Sequence, residues 1–115
     1  MTVLTENSKI LEALADKRGE DILAIDLRGT SSIADTFILV TGNSDVHMKT
    51  LRQAIEDYLD ANEARYAIEG QNSTQWCLVD SGNLVIHIFS RKARAFYNLE
   101  KTWGDAPSKK YDYQM

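Results

Sequence analysis

The sequence is poor in the residue types that hold small proteins together through covalent bonds or metals. Its 115 residues include one cysteine, Cys77, and two histidines, so an intramolecular disulfide is excluded and a cysteine-based zinc site is not expected. No stretch approaches the roughly 20 apolar residues of a membrane-spanning helix. Residues 1–8 also lack the cationic flank and apolar run of a signal peptide. We therefore expect a cytoplasmic protein that depends on its hydrophobic core.

Positive charge is also scarce. Thirteen Lys and Arg residues stand against seventeen Asp and Glu residues, and the formal net charge is −4. A protein that coats DNA or RNA needs a basic surface to neutralise phosphates, so this balance argues against that class. The length is that of a single domain, and 43% hydrophobic residues are enough for one core. We predict one domain over residues 1–107 and a flexible tail over residues 108–115.

Hydrophobic periodicity predicts the order α-β-β-α-β-β-β-α. This order favours an α/β fold of the α+β type, in which helices flank one mixed five-stranded sheet. The predicted elements are a helix over 5–18, strands over 21–27 and 36–41, a helix over 44–62, strands over 65–69, 76–80 and 84–89, and a helix over 91–103. In the first helix, Thr5 is the expected N-cap and Gly19 the expected stop.

A β-hairpin is predicted where two strands flank Ser81 and Gly82. With these two as the central turn residues, Trp76 pairs with His87. Side-chain alternation then places an apolar set on one face, namely Cys77, Val79, Leu84, Ile86 and Ile88. The other face carries the mixed set Trp76, Leu78, Asp80, Val85, His87 and Phe89. The apolar face is the better candidate for the core.

The residues that most often carry chemistry are not in diagnostic spacings. The turn 41–45 could offer backbone N–H groups to a phosphate, but a glycine-assisted N-cap explains the same residues and is favoured. His47 and His87 do not lie in a zinc-binding spacing, and His47 is expected to be a hydrogen-bonded histidine at the edge of the core. The aspartates include no D-x-D pair. We therefore expect neither a metal nor a cofactor.

Aromatic residues and arginine are a better indication of function. Tyr, Trp and Arg dominate the binding energy of protein–protein interfaces. A surface that combines Trp76, His87, Phe89, Arg94 and Tyr97 is therefore a candidate docking site. On the last predicted helix, Phe96, Leu99 and Trp103 lie on one face and are expected to be core.

Six sequence blocks, taken in order, resemble the Iojap/ribosomal silencing factor family. The blocks are Ala34–Phe37, Thr41–His47, Glu69–Gly70, Trp76–Asp80, Val85–Phe89, and Arg94 with Tyr97–Glu100 and Trp103. Their order and spacing match the family from about residue 8 to residue 105. Two residues depart from the family pattern, Gln75 before the tryptophan and Asn83 after the turn glycine, and these bear only on local contacts.

The resemblance implies a nucleotidyltransferase-like fold that lacks the catalytic carboxylates, and hence a protein that is not an enzyme. It implies binding to protein fourteen of the large ribosomal subunit, which sterically blocks joining of the small subunit and represses translation under nutrient limitation. The family's docking positions correspond here to Trp76, Asp80, His87, Phe89, Arg94, Tyr97, Glu100 and Trp103, with Asp35 and His47 as further candidates. An acidic chain also suits a basic ribosomal protein.

Two alternatives from other classes stay open. One is a metal-dependent nucleotidyltransferase-like or nucleotide-binding enzyme that uses Gly42, Ser44 and a pair of aspartates. The other is a homodimeric adaptor with a different protein partner. Within the favoured interpretation, a homodimer and minor contacts with rRNA also stay open, whereas DNA and membranes are not expected partners.

Overall fold

The centre of the fold is a mixed sheet of six strands in the computed structural model, which describes residues 6–30 and 32–111. The strands are β1 (Glu20–Asp26), β2 (Thr36–Gly42), β3 (Ala67–Glu69), β4 (Trp76–Asp80), β5 (Leu84–Ser90) and β6 (Ser108–Lys110). They lie in the order β3-β4-β5-β2-β1-β6. The central pair, β2 and β5, is parallel, and every other neighbouring pair is antiparallel. The predicted single mixed sheet is confirmed, with six strands in place of five.

Helices cover both faces of this sheet. They are α1 (Ser8–Asp16), α2 (Asp45–Ala61), α3 (Arg91–Tyr97) and α4 (Leu99–Thr102). The core on one face includes buried residues of α1 and α2, and the core on the other includes Ala93 of α3 with the partly buried Leu99 and Trp103. Because both faces are covered, every residue of β2 is buried. This explains why its sequence is apolar without alternation.

The first helix begins and ends differently from the prediction. It begins at Ser8 with Asn7 at the N-cap position, and the predicted cap Thr5 lies outside the described residues. The left-handed residue after the helix is Arg18, with φ of 61°, and not Gly19. Gly19 is needed for another reason, because a Cβ atom there would lie 2.6 Å from Cγ2 of Val40. The glycine lets the chain pass close to β2.

The predicted hairpin register is wrong by two residues. Trp76 lies opposite Phe89, not His87. The Ser81 N–H donates to the Leu84 carbonyl oxygen, which makes Gly82 and Asn83 the central turn residues. The carboxylate of Asp80 selects this turn by accepting from the Gly82 N–H at 2.9 Å, while Gly82 adopts φ of +76°. A shift of two residues preserves the alternation, so the predicted assignment of side chains to the two faces is confirmed.

The C-terminal part of the chain departs most from the prediction. The single helix expected over 91–103 is broken at Asn98, which adopts a left-handed conformation with φ of 47°. Its side-chain oxygen then accepts from the Lys101 N–H at the start of α4. The break turns Phe96 away from Leu99 and Trp103, and Phe96 is 78% exposed, so its expected core position is wrong. The start of the predicted flexible tail forms β6 along the edge of β1.

Candidate functional site

Three aromatic side chains meet on the surface where β4 begins and α3 ends. The Trp76 and Tyr97 rings lie 4.7 Å apart between centroids, and the Phe96 ring packs edge-on against Tyr97 at 5.1 Å. Trp76 is half-buried, whereas Tyr97 and Phe96 are 46% and 78% exposed. We call Trp76, Phe96 and Tyr97 the aromatic surface. Beside it lies a shallow cavity of about 190 Å³, lined by Gln75, Lys92, Ala93, Phe96 and Tyr97.

The junction of β5 and α3 holds this surface in place. Ser90 ends the strand and is the N-cap of the helix, and its hydroxyl oxygen accepts from the Ala93 N–H at 3.1 Å. The same hydroxyl donates to the side-chain oxygen of Gln75, the residue before Trp76. The cap therefore ties the start of β4, which carries Trp76, to the start of α3, whose last turn carries Phe96 and Tyr97.

Two buried rings support Trp76 from below. The indole is stacked on Phe89, its neighbour on β5, with the centroids 5.0 Å apart. The indole Nε1–H donates to Nδ1 of His87 at 3.1 Å. His87 in turn packs edge-on against Phe37 at 4.6 Å. Phe89 and His87 are only 1% and 3% exposed, so they support the surface and present almost no area of their own.

Burial determines the charge state of His87. Desolvation lowers the pKa of its imidazole from 6.5 to about 4, although the nearby Asp80 carboxylate opposes this shift. Since the Trp76 indole can only donate, His87 Nδ1 must be the acceptor, and the ring is neutral with its proton on Nε2. The support beneath Trp76 is therefore uncharged at neutral pH.

This pKa predicts a loss of stability in mild acid. As the pH falls, His87 is protonated near pH 6.5 in the unfolded chain but only near pH 4 in the folded protein. The folded protein therefore keeps its full stability above pH 6.5 and loses part of it as the pH falls towards 4. We expect the free energy of unfolding to fall by about 2 kcal/mol more in the native protein than in His87→Asn between about pH 7.5 and about pH 5. Urea titrations at both pH values measure the difference. An equal fall in the free energy of unfolding for the two proteins would contradict a buried, neutral His87.

Arg94 braces the elements behind the aromatic surface. Its side chain is 11% exposed, and its guanidinium donates to Thr41 Oγ1 on β2 at 3.0 Å and to a Glu100 carboxylate oxygen on α4 at 3.2 Å. Trp103 packs edge-on against Phe37, with the ring centroids 5.7 Å apart. Arg94, predicted as a docking residue, thus faces largely inwards, and Trp103, also predicted as a docking residue, is half-buried. Both join the C-terminal helices to the sheet.

The remaining predicted docking residues lie elsewhere. Asp80 is at the far end of β4 from Trp76, a distance of about 13 Å for an extended strand, and its carboxylate is engaged in the hairpin turn. Asp35 precedes β2, which begins opposite the start of β5 and so at that same far end. His47 belongs to the α1–α2 layer, where it accepts from the Asn43 N–H and donates to the Lys17 carbonyl oxygen. The predicted structural role of His47 is thus confirmed.

Sequence reasoning missed Phe96 as a surface residue. The missed signal is Asn98, since asparagine tolerates the left-handed conformation and caps helices readily. A helix break there removes the reason for placing Phe96 on the same face as Trp103.

The turn between β2 and α2 has the geometry of a helix cap. Ser44 Oγ accepts from the His47 N–H at 3.0 Å, as the favoured interpretation predicts. Gly42 permits a close approach, because a Cβ atom there would lie 2.8 Å from Cγ of Met48. In the described part of the chain, no group of three or more His, Cys, Asp or Glu side chains is placed to hold a metal ion. Nor do those residues include a helix long and apolar enough to cross a membrane.

Comparison with known proteins supplies an independent finding. A family model described as "Ribosomal silencing factor during starvation" matches residues 2–114. A ribosomal silencing factor of Bacillus subtilis is 44% identical over 104 residues, which cover 90% of this chain and 88% of that protein. A crystal structure of a Chromobacterium violaceum protein superimposes with a TM-score of 0.82 at 30% identity, covering 90% of this chain and 88% of the other. A Bacillus halodurans structure gives 0.79 at 28% identity, covering 93% and 99%.

Proposed function

This chain belongs to the family of ribosomal silencing factors, which are ribosome-associated and silence translation, and from that premise we propose that the aromatic surface is its docking site. The partner is protein fourteen of the large ribosomal subunit, in the cytoplasm. Bound there, the protein occupies the face that the small subunit must approach, and translation is repressed because the subunits do not join. No bond is made or broken in this mechanism.

The observation that carries the proposal is the exposure of Phe96 and Tyr97 beside the half-buried Trp76. Contiguous aromatic rings in contact with water are unusual on a protein that acts alone, and they are typical of binding sites. Trp76 is also firmly held, since it is stacked on Phe89 and hydrogen-bonded to His87. Rigid aromatic side chains lose little conformational entropy when a partner binds, which favours affinity.

The cleanest test of the surface is the substitution Phe96→Ala. Because Phe96 is 78% exposed, we expect the free energy of unfolding to change by no more than about 0.5 kcal/mol. Binding to isolated large subunits should nevertheless weaken about fivefold or more, an effect of at least about 1 kcal/mol for an interface aromatic. Sucrose-gradient sedimentation with increasing amounts of large subunit measures the affinity.

The matched control is Val46→Ala, which truncates an equally exposed apolar side chain on α2. This variant should bind as the native protein does. The native protein should co-sediment with free large subunits and be depleted from assembled ribosomes and from free small subunits. Equal recovery with large subunits and assembled ribosomes at matched occupancy would reject the steric mechanism, and equal loss of binding in both variants would reject the aromatic surface.

A further inference from the structure

His87 lies at a core position where an apolar side chain would destabilise the fold less. It is 3% exposed and lies among the rings of Phe37, Phe89 and Trp76. Its Nε2 is buried, and no group among the described residues accepts a hydrogen bond from it. A buried donor without a partner destabilises a fold, whereas leucine or phenylalanine would bring no such donor. The imidazole must therefore be useful at its other nitrogen.

The other nitrogen, Nδ1, makes one hydrogen bond, and a hydrogen bond is directional. Nδ1 accepts the hydrogen bond from Trp76 Nε1 at 3.1 Å. The ring of Phe89 is stacked on the indole at an interplanar angle of 29°, and the ring of Tyr97 is tilted against it at 47°. Ring contacts of this kind tolerate sliding, and the last side-chain torsion of tryptophan has two broad orientations. The hydrogen bond to His87 selects one of them.

We propose that His87 is a positioning residue for Trp76: its Nδ1 fixes the orientation in which the indole is presented to the binding partner, and His87 itself does not touch that partner. The inference rests on the proposed function of the aromatic surface. A histidine at the surface of an interface would need exposed area, which His87 lacks. Its contribution is instead pre-organisation, because an indole already held in the bound orientation loses less freedom on docking.

NMR can test the proposal, because the chain has only two tryptophans and each gives its own indole N–H signal. In a ¹H–¹⁵N spectrum of uniformly ¹⁵N-labelled protein, the indole Nε1–H of Trp76 should give a signal shifted by its hydrogen bond, and that of Trp103 serves as an internal reference for correct folding. We expect His87→Leu to move the Trp76 signal and to weaken binding to isolated large subunits about threefold to tenfold. His87→Asn, whose amide oxygen lies near the position of Nδ1, should restore both the signal and the affinity.

A second measurement needs no variant. In the native protein, long-range ¹H–¹⁵N correlations should show His87 with an unprotonated Nδ1 and a protonated Nε2, and a proton on Nδ1 would overturn the proposal. If His87→Leu does not fold, this measurement still tests the proposal, and a loss of affinity in His87→Asn with an unchanged Trp76 signal would overturn it.

Binding data distinguish a failure of the positioning role of His87 from a failure of the aromatic surface as the docking site. If Trp76→Ala loses affinity while folded His87→Leu binds as the native protein does, the positioning role is wrong and the docking surface stands. If Trp76→Ala also binds normally, the proposed function fails and the positioning role fails with it.

Discussion

Replacing Trp76 by alanine is expected to weaken binding to the large ribosomal subunit by about 30-fold or more, which corresponds to about 2 kcal/mol. Trp76 is the central ring of the aromatic surface, and it contacts Tyr97 on one side and Phe89 and His87 beneath. The substitution removes the contact area of Trp76 and also the nearest of the described ring contacts of Tyr97. Titration of isolated large subunits, followed by sedimentation, measures the affinity.

Because Trp76 is half-buried, stability must be measured on the same variant. Trp76→Phe is the graded control, since it keeps a ring on Phe89 and removes only the Nε1–H donor and part of the area. We expect its affinity to lie between those of the native protein and Trp76→Ala. If Trp76→Ala lowers the unfolding temperature strongly and yet binds normally, Trp76 belongs to the core alone and the docking surface must be sought elsewhere.

Phe89→Ala is expected to give the largest loss of stability, about 3–5 kcal/mol in the free energy of unfolding. Its ring is 1% exposed and lies between the sheet and α3, in contact with Trp76, His87 and Tyr97. Alanine would leave a cavity beneath the aromatic surface. Urea denaturation, monitored by circular dichroism, measures the change in the free energy of unfolding.

Phe96→Ala is the matched comparison, because the same atoms are removed from a side chain that is 78% exposed. The two variants should show opposite profiles: Phe89→Ala loses mainly stability, and Phe96→Ala loses mainly affinity. A cost below about 1 kcal/mol for Phe89→Ala would mean that α3 does not pack on β5 as described, since a fully buried phenylalanine is worth more than that.

Local patterns were sufficient for the central part of the fold. The alternation in β4 and β5 predicts correctly that Cys77, Val79, Ile86 and Ile88 lie on one face, although the predicted pairing of the strands is wrong. The reason is that side chains alternate with a period of two, and the register error is also two residues. The expected N-cap in the turn 41–45, at Asn43 or Ser44, is found at Ser44, because an N-cap acts only on the backbone of the following turn.

The resemblance to a known family was also contained in the sequence, and the comparisons confirm it over nearly the whole chain. It identifies Trp76 and Tyr97, which the structure brings to within 4.7 Å of each other. Family positions alone do not distinguish a ring that meets a partner from one that supports it. His87 and Phe89 do lie in contact with Trp76, but their burial is visible only in the structure.

The tertiary structure alone decided the form of the C-terminal segment and the burial of the rings beneath Trp76. Ser108–Lys110 has no strand-forming pattern of its own, and it becomes β6 because β1 offers a free edge of backbone hydrogen bonds. Asn98 breaks the C-terminal helix, and Leu99 and Trp103 then pack against the buried cluster that contains Phe89, while Phe96 stays in water. Asn98 is a local signal for the break, but β6 and the packing of Leu99 and Trp103 depend on contacts between segments far apart in the chain, and such contacts are outside the range of any local pattern.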